Sequence, residues 1–257
     1  MSELGSLRHR IDQAAGSVVE AVPATDGLRL TLLRGFQLEH NSQTIDLPLG
    51  SQRLVAFLAL QRRAVERMFV AGTLWIDRSE ASASASLRTA LWRLQRLALP
   101  LIESTRSRLK LSSAVSVDFH ETDARARRVL LHDRTAAIDA LDALFREGDL
   151  LSDWYDDWVL IERERARQLR LHALETLCAD LTAARSYALA VEAGLACIAA
   201  EPLRESAHRV LIDAYRAEGN YGEAIRQYRL YERIVGDRLG LRPSSAMRLV
   251  AQALGIS

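Results

Sequence analysis

The chain has 257 residues, 49% of them hydrophobic and 26% charged, which suffices for one large or two ordinary packed domains and excludes a disordered polyelectrolyte. Its net charge of +1 conceals an asymmetry: residues 26–117 carry 13 Lys and Arg against 7 Asp and Glu, whereas residues 118–257 carry 19 against 23. No run of 18 apolar residues and no basic, then apolar, leader is present, so the expected location is cytoplasmic, with no membrane partner.

Residues 1–27 contain Gly5, Gly16, Pro23 and Gly27 and no sustained apolar face, and are expected to be a flexible N-terminal arm. From residue 28, LRLTLLRGFQLEHNSQTIDL alternates apolar and polar residues in short runs, the pattern of a three-strand antiparallel meander that Pro48 ends. Helical periodicity follows in SQRLVAFLALQRRA, in VAGTLW and in DRSEASASASLRTALWRLQRL. After Pro100, LIESTRSRLKLSSAVSVD returns to period two and reads as a hairpin turning near residues 105–107. Strands, three helices and a closing hairpin are the parts of a winged helix-turn-helix domain, expected over residues 28–117.

Beyond Phe119 the pattern is helical throughout. Helices are expected at about 120–131, 134–146, 156–182, 187–200, 204–217, 221–238 and 244–254, broken at Gly148, Pro202, Gly219, Gly240 and Pro243. Ala173, Leu177, Tyr187, Ala190 and Val191 recur 34 residues later as Ala207, Leu211, Tyr221, Ala224 and Ile225, and 34 is the tetratricopeptide period. Small alanines would let paired helices approach, with the tyrosine filling the gap between them. Residues 118–257 thus read as an all-α, tetratricopeptide-like bundle, and the fold class as mainly α with a small β component. Cys178 and Cys197, 19 residues apart on apolar faces, read as small buried hydrophobes.

The third helix carries the first candidate site. On a wheel of about 100° per residue, Leu87, Ala90, Leu91, Leu94 and Ala98 form one stripe, and Arg88, Thr89, Trp92, Arg93 and Arg96 fall on the opposite side. A helix that buries Leu and Ala and presents Arg, Thr and Trp suits a DNA major groove, because arginine forks reach guanine edges or phosphates and a threonine hydroxyl bonds either. An ordinary solvated amphipathic helix shares that pattern. In the hairpin Arg106, Arg108 and Lys110 alternate with Leu109 and Leu111, which puts three cations on one face of a projecting wing where they could neutralise phosphates.

Asp149, Asp153, Asp156 and Asp157 form an acidic cluster open to two readings. It could hold a divalent cation, but the favoured reading has Asp153 or Asp156 capping the following helix while Trp154 and Trp158 pack into the bundle. Glu162, Arg163, Glu164, Arg165 and Arg167 would continue as a charged face. The histidines have no metal spacing, and neither a GxxxxGK[ST] loop nor a GxSxG elbow occurs. No catalytic residue, metal or cofactor is expected, and the chain reads as a non-enzyme.

The strings GSQRLVAFLAL, VAGTLW and ASASASLRTALWRLQRLALPLIES resemble the OmpR-type winged helix of the Streptomyces antibiotic regulatory protein (SARP) family. VDFHETDARARRVL, FREGDLLSDWYDDWVLIERERARQL and EPLRESAHRVLIDAYRAEGNYGEAIRQYRLYERIVGDRLGLRPSSAMRLV resemble its companion, the bacterial transcriptional activator domain (BTAD). The resemblance spans about residues 28–254 and implies a bacterial transcriptional activator that binds direct repeats in double-stranded promoter DNA, often as two or more copies side by side, and recruits RNA polymerase. It implies that Arg88, Thr89, Trp92, Arg93 and Arg96 contact DNA and that Ile76, Asp77, Arg78, Ser79 and Glu80 meet the polymerase. Trp92 stands where such helices carry a small or polar residue, and SRLKL replaces the glycine-aromatic pair usual in the wing. The alternative reading is a helical-repeat interaction or effector-sensing module whose winged helix serves protein contacts; a small-molecule effector is compatible with it, but the sequence does not locate one.

Overall fold

The structure, a computed structural model, describes residues 27–133, Leu144 and residues 148–256. The N-terminal arm, save Gly27, and the helix expected at 134–146, save Leu144, lie outside the described residues.

The meander forms as β1 (Leu28–Thr31), β2 (Gln37–His40) and β3 (Gln43–Thr44). β1 and β2 pair antiparallel with Leu30 opposite Leu38, both fully buried, so one face of the sheet belongs to the core. Then come α1 (Leu49–Gln61), β4 (Val65–Glu66), α2 (Arg67–Leu74) and α3 (Glu80–Gln95). The wing is β5 (Ile102–Ser104) and β6 (Arg108–Leu111), joined through residues 105–107 as the sequence pattern indicates. The last strand leaves that hairpin: β7 (Val115–Val117) crosses to pair parallel with β1, Leu30 opposite Val117. The result is a four-stranded sheet ordered β3-β2-β1-β7 and a three-stranded sheet ordered β4-β6-β5. Period-two alternation marks a half-buried strand but does not name its partner, which is why one expected hairpin divides between two sheets.

The helical part comprises α4 (Asp118–Leu130), α5 (Asp157–Ala183), α6 (Tyr187–Ala200), α7 (Glu205–Glu218), α8 (Tyr221–Leu239) and α9 (Ser245–Ala253). The repeat pattern places small residues at the contacts: Ala173, Ala190, Ala207 and Ala224 have no exposed surface. Gly194 extends that logic, since a Cβ there would stand 3.0 Å from the Cβ of Leu211, so α6 and α7 approach as closely as a side chain forbids. The tyrosines do not fill the gaps as expected. Tyr221 is 55% exposed and Tyr187 half-buried, because each opens its helix, at the end rather than the middle of the contact. Cys178 and Cys197 are free and buried, and burial pushes each thiol up to about 12, which makes them inert packing residues.

The acidic segment packs differently from the expectation. Leu150, Leu151 and Val159 belong to the apolar cluster of the winged helix, with Trp154 and Trp158 packed against it. Trp154 stacks on Phe36 at 6.0 Å and 16°, and Trp158 meets Phe57 edge-on at 5.3 Å, so both tryptophans face the first unit and not the bundle. Asp156 occupies the N-cap position of α5 but makes no cap hydrogen bond; its carboxylate pairs with Arg53 of α1 instead. Arg163 leaves the expected charged face. Its guanidinium donates to the carbonyls of Leu150, Leu151 and Trp154, satisfying backbone acceptors of the irregular stretch before α5. At the other crossing the Asp118 carboxylate accepts from the backbone N–H of Leu32 at 2.8 Å and Leu33 at 3.1 Å. Burial nonetheless raises its pKa, outweighing those bonds.

Candidate nucleic-acid interface

The orientation of α3 follows from its apolar stripe. Ala83, Leu87, Ala90, Leu91 and Leu94 are buried, and Arg88, Thr89, Trp92, Arg93 and Arg96 are all exposed, as the wheel requires. Ala98 departs from the wheel. The helix closes at Gln95, Ala98 takes φ 54° and it is exposed, because helical phase no longer applies past the last turn. The N-terminus is set by Ser79, whose hydroxyl accepts from Ser82 N–H at 3.4 Å.

Among the described residues, Arg88 and Arg93 have no ion-pair partner, so their guanidinium donors face solvent. Thr89 Oγ1 donates to the carbonyl of Ala85 at 3.0 Å, which leaves its lone pairs as acceptors toward the outside. The Arg96 guanidinium lies over the Trp92 ring at 5.0 Å, and Trp92 is 55% exposed. A large indole held outward between arginines offers a flat apolar surface inside a cationic one.

The wing is more self-neutralised than its sequence suggests. Leu109 and Leu111 point inward, as alternation requires, but Arg108 Nε donates to Glu66 at 2.6 Å and Lys110 Nζ stands 3.8 Å from Glu103. Arg106 lies in the turn, exposed, with no ion pair among the described residues. Glu103 stands directly opposite Lys110 in the hairpin register, as a turn at 105–107 requires, whereas Glu66 belongs to β4 and is not legible from spacing within the wing itself. Sequence reasoning also missed Arg67, which ties the wing to α2. Its side chain donates to Ser104 Oγ at 2.6 Å and to the carbonyl of Thr105 at 3.2 Å, and its backbone N–H to Ser107. No local signal marks it, since its acceptors are nearly 40 residues away. Leu91, Leu94 and Gln95 share a crevice with Ile102 and Ser104, so helix and wing form one continuous surface.

In the 76–80 segment all five residues are exposed, Ile76 at 77%. Ser79 and Glu80 are cap and first residue of α3, and Arg78 Nη1 donates to Ser86 Oγ at 3.0 Å, which ties the segment to the helix it precedes. Among the described residues no group of three or more His, Cys, Asp or Glu side chains is placed to hold a metal ion, and no helix is long and apolar enough to cross a membrane.

A winged helix-turn-helix followed by a tetratricopeptide-like helical bundle, with an arginine-bearing third helix facing outward, is the architecture that the sequence resemblance implies for a transcriptional regulator. The chain belongs to the bacterial transcriptional activator domain family, whose model matches residues 116–254. It is similar to the regulatory protein AfsR of Streptomyces coelicolor, 27% identical over 241 residues, covering 88% of this chain and 24% of that protein. The AfsR of Streptomyces griseus is 27% identical over 248 residues, 91% of this chain and 25% of the relative. The chain therefore spans about a quarter of the length of these curated relatives. Among solved structures, Mycobacterium tuberculosis EmbR in complex with a low affinity phosphopeptide superposes with a TM-score of 0.72 at 20% identity, over 88% of this chain and 64% of that one, a likeness of fold. The family match and the likeness to the AfsR proteins support the SARP-type transcriptional regulator that the sequence resembles.

Proposed function

We propose that this regulator binds duplex DNA in a sequence-specific manner, engages direct repeats at promoters as adjacent copies, and activates transcription by recruiting RNA polymerase. The observation that carries the reading is the outer face of α3, where Arg88, Thr89, Trp92, Arg93 and Arg96 stand exposed together and Arg88 and Arg93 are unpaired among the described residues. Arg88 and Arg93 supply bidentate donors for guanine O6 and N7 or for phosphate; Thr89, its hydrogen already given to Ala85, accepts from a base amino group or touches a thymine methyl. Trp92 packs on deoxyribose or a methyl edge while Arg96 stays over its ring. Arg106 at the wing tip meets phosphate directly, whereas Arg108 and Lys110 must share any phosphate with Glu66 and Glu103, which lowers their contribution.

The residues Ile76, Asp77, Arg78, Ser79 and Glu80 are the proposed polymerase contact, an exposed segment fixed at the start of the DNA-facing helix. A cytoplasmic location goes with this reading. Fluorescence anisotropy of promoter DNA with the intact chain across a salt series tests it. Affinity should fall with log salt at a slope of about −0.9 per phosphate neutralised. Absence of binding at low salt, or equal affinity for every sequence, would overturn it.

A further inference from the structure

Between the end of α1, the β6–β7 connection and the start of α4 lies a cavity of about 310 Å³, within the range of small-molecule sites. Leu58, Leu111 and Val115, all from the core, form its apolar wall. Arg62, Lys110 and His120 supply its polar side, with Ser112 and Ser113 also in its lining. Lys110 is the one lining residue that the proposed DNA contact also names.

The two cations are incompletely satisfied. Arg62 donates from Nη1 to Asp123 at 3.0 Å and lies over the Phe119 ring at 5.4 Å; among the described residues its other guanidinium N–H groups have no acceptor. Lys110 Nζ is 3.8 Å from Glu103, beyond hydrogen-bond distance, and Glu103 already accepts from the Ser113 backbone N–H at 3.3 Å. The ammonium therefore keeps its three donors. His120 does not add charge. Its Nε2 donates to the Ala59 carbonyl at 2.8 Å, and burial lowers its pKa, so it stands neutral with Nδ1 as an acceptor.

We propose that this cavity binds a small amphiphilic monocarboxylate, its carboxylate on Lys110 and Arg62 and its hydrocarbon or aromatic body against Leu58, Leu111 and Val115. The charge balance selects a monoanion. Asp123 is shared between Arg62 and Arg127, whose Nε donates to it at 2.9 Å, so three cations face the two carboxylates Asp123 and Glu103; one monoanion balances them, whereas a phosphate dianion would leave net negative charge. The apolar wall selects a ligand with a hydrophobic body over a bare anion.

Calorimetric titration of the full chain with octanoate, without DNA, tests the assignment independently of the DNA reading. Saturable one-to-one binding with Kd on the order of 0.1–1 mM is expected. Octan-1-ol and inorganic phosphate should each bind at least about tenfold more weakly, as each lacks one half of the recognition. Lys110→Met should weaken octanoate about tenfold and Lys110→Arg should retain most of it. Ser113→Phe, at an exposed position on the rim, should block the cavity while leaving the thermal midpoint unchanged. Non-saturable binding of octanoate, equal binding of octan-1-ol, or indifference to both Lys110→Met and Ser113→Phe would overturn the proposal. Loss of DNA binding with octanoate binding intact would overturn only the DNA reading.

Discussion

Trp92 is the residue that separates a DNA-facing helix from an ordinary solvated one. With the Arg96 guanidinium 5.0 Å above its ring and more than half its surface open, its truncation removes little packing. Trp92→Ala is expected to change stability by less than about 1 kcal/mol, read as a near-constant thermal midpoint, while weakening DNA binding or altering sequence preference. If the domain unfolds instead, the indole is a core residue and the contact face is wrong. Arg88→Ala and Arg93→Ala should each cost about 1–3 kcal/mol at a preferred site where they read a base, and reduce the salt slope by about one where they hold a phosphate. At this scale the outward facing of α3 was legible from a 3.6-residue period alone. The pairing of Arg108 with Glu66 was not, because the two meet across strands 42 residues apart and no local pattern records it.

Helix boundaries in the bundle follow from punctuation the chain carries itself. Gly219 at φ 94° closes α7, and the expected 187–200 helix matches α6 in both limits. Strand partners do not, as β7 demonstrates, since a parallel partner nearly 90 residues away is chosen by the whole core. Helix-to-helix polar contacts share that opacity, and His208 of α7 illustrates their consequence. It is fully buried; its Nε2 donates to the Pro202 carbonyl at 3.0 Å and its Nδ1 accepts from Gln227 of α8 at 2.7 Å, so the network requires the neutral ring. Burial lowers its pKa below the ordinary 6.5. The unfolded chain thus binds a proton that the folded one refuses: stability is complete above about pH 6.5 and is lost as pH falls from there through the lowered folded value. Thermal midpoints of the intact chain should drop between about pH 7.5 and pH 5.5, and His208→Asn, though less stable overall, should show a shallower drop. An unchanged slope would place the titration elsewhere, half-buried His120 being the other histidine whose pKa is lowered.

In the whole molecule the winged helix and the bundle are joined by core, not by a tether. Leu150, Leu151, Val159, Trp154 and Trp158 give the helical chain a foothold in the first apolar cluster, Arg53 pairs with Asp156, and Asp118 accepts the backbone N–H groups of the two residues after β1. The presence of packed tryptophans was legible in DLLSDWYDDWVL; the side they serve was not, because periodicity reports that a face is apolar without naming what covers it. Trp158→Ala should cost about 2–4 kcal/mol and split one cooperative thermal transition into two, detected by calorimetry. A single transition shifted as a unit would mean that the coupling rests on the polar contacts instead. Under the proposed DNA reading, this shared core would set where the helical bundle stands relative to α3, so adjacent copies on direct repeats would be held in one geometry. The most direct test of DNA recognition by α3 is genome-wide mapping of bound fragments in cells carrying either the natural chain or the Arg88→Ala, Arg93→Ala double variant at equal protein level. Discrete promoter sites bearing direct repeats, lost in the double variant, are the predicted result; sites that persist without those arginines, or no discrete sites for the natural chain, would contradict it.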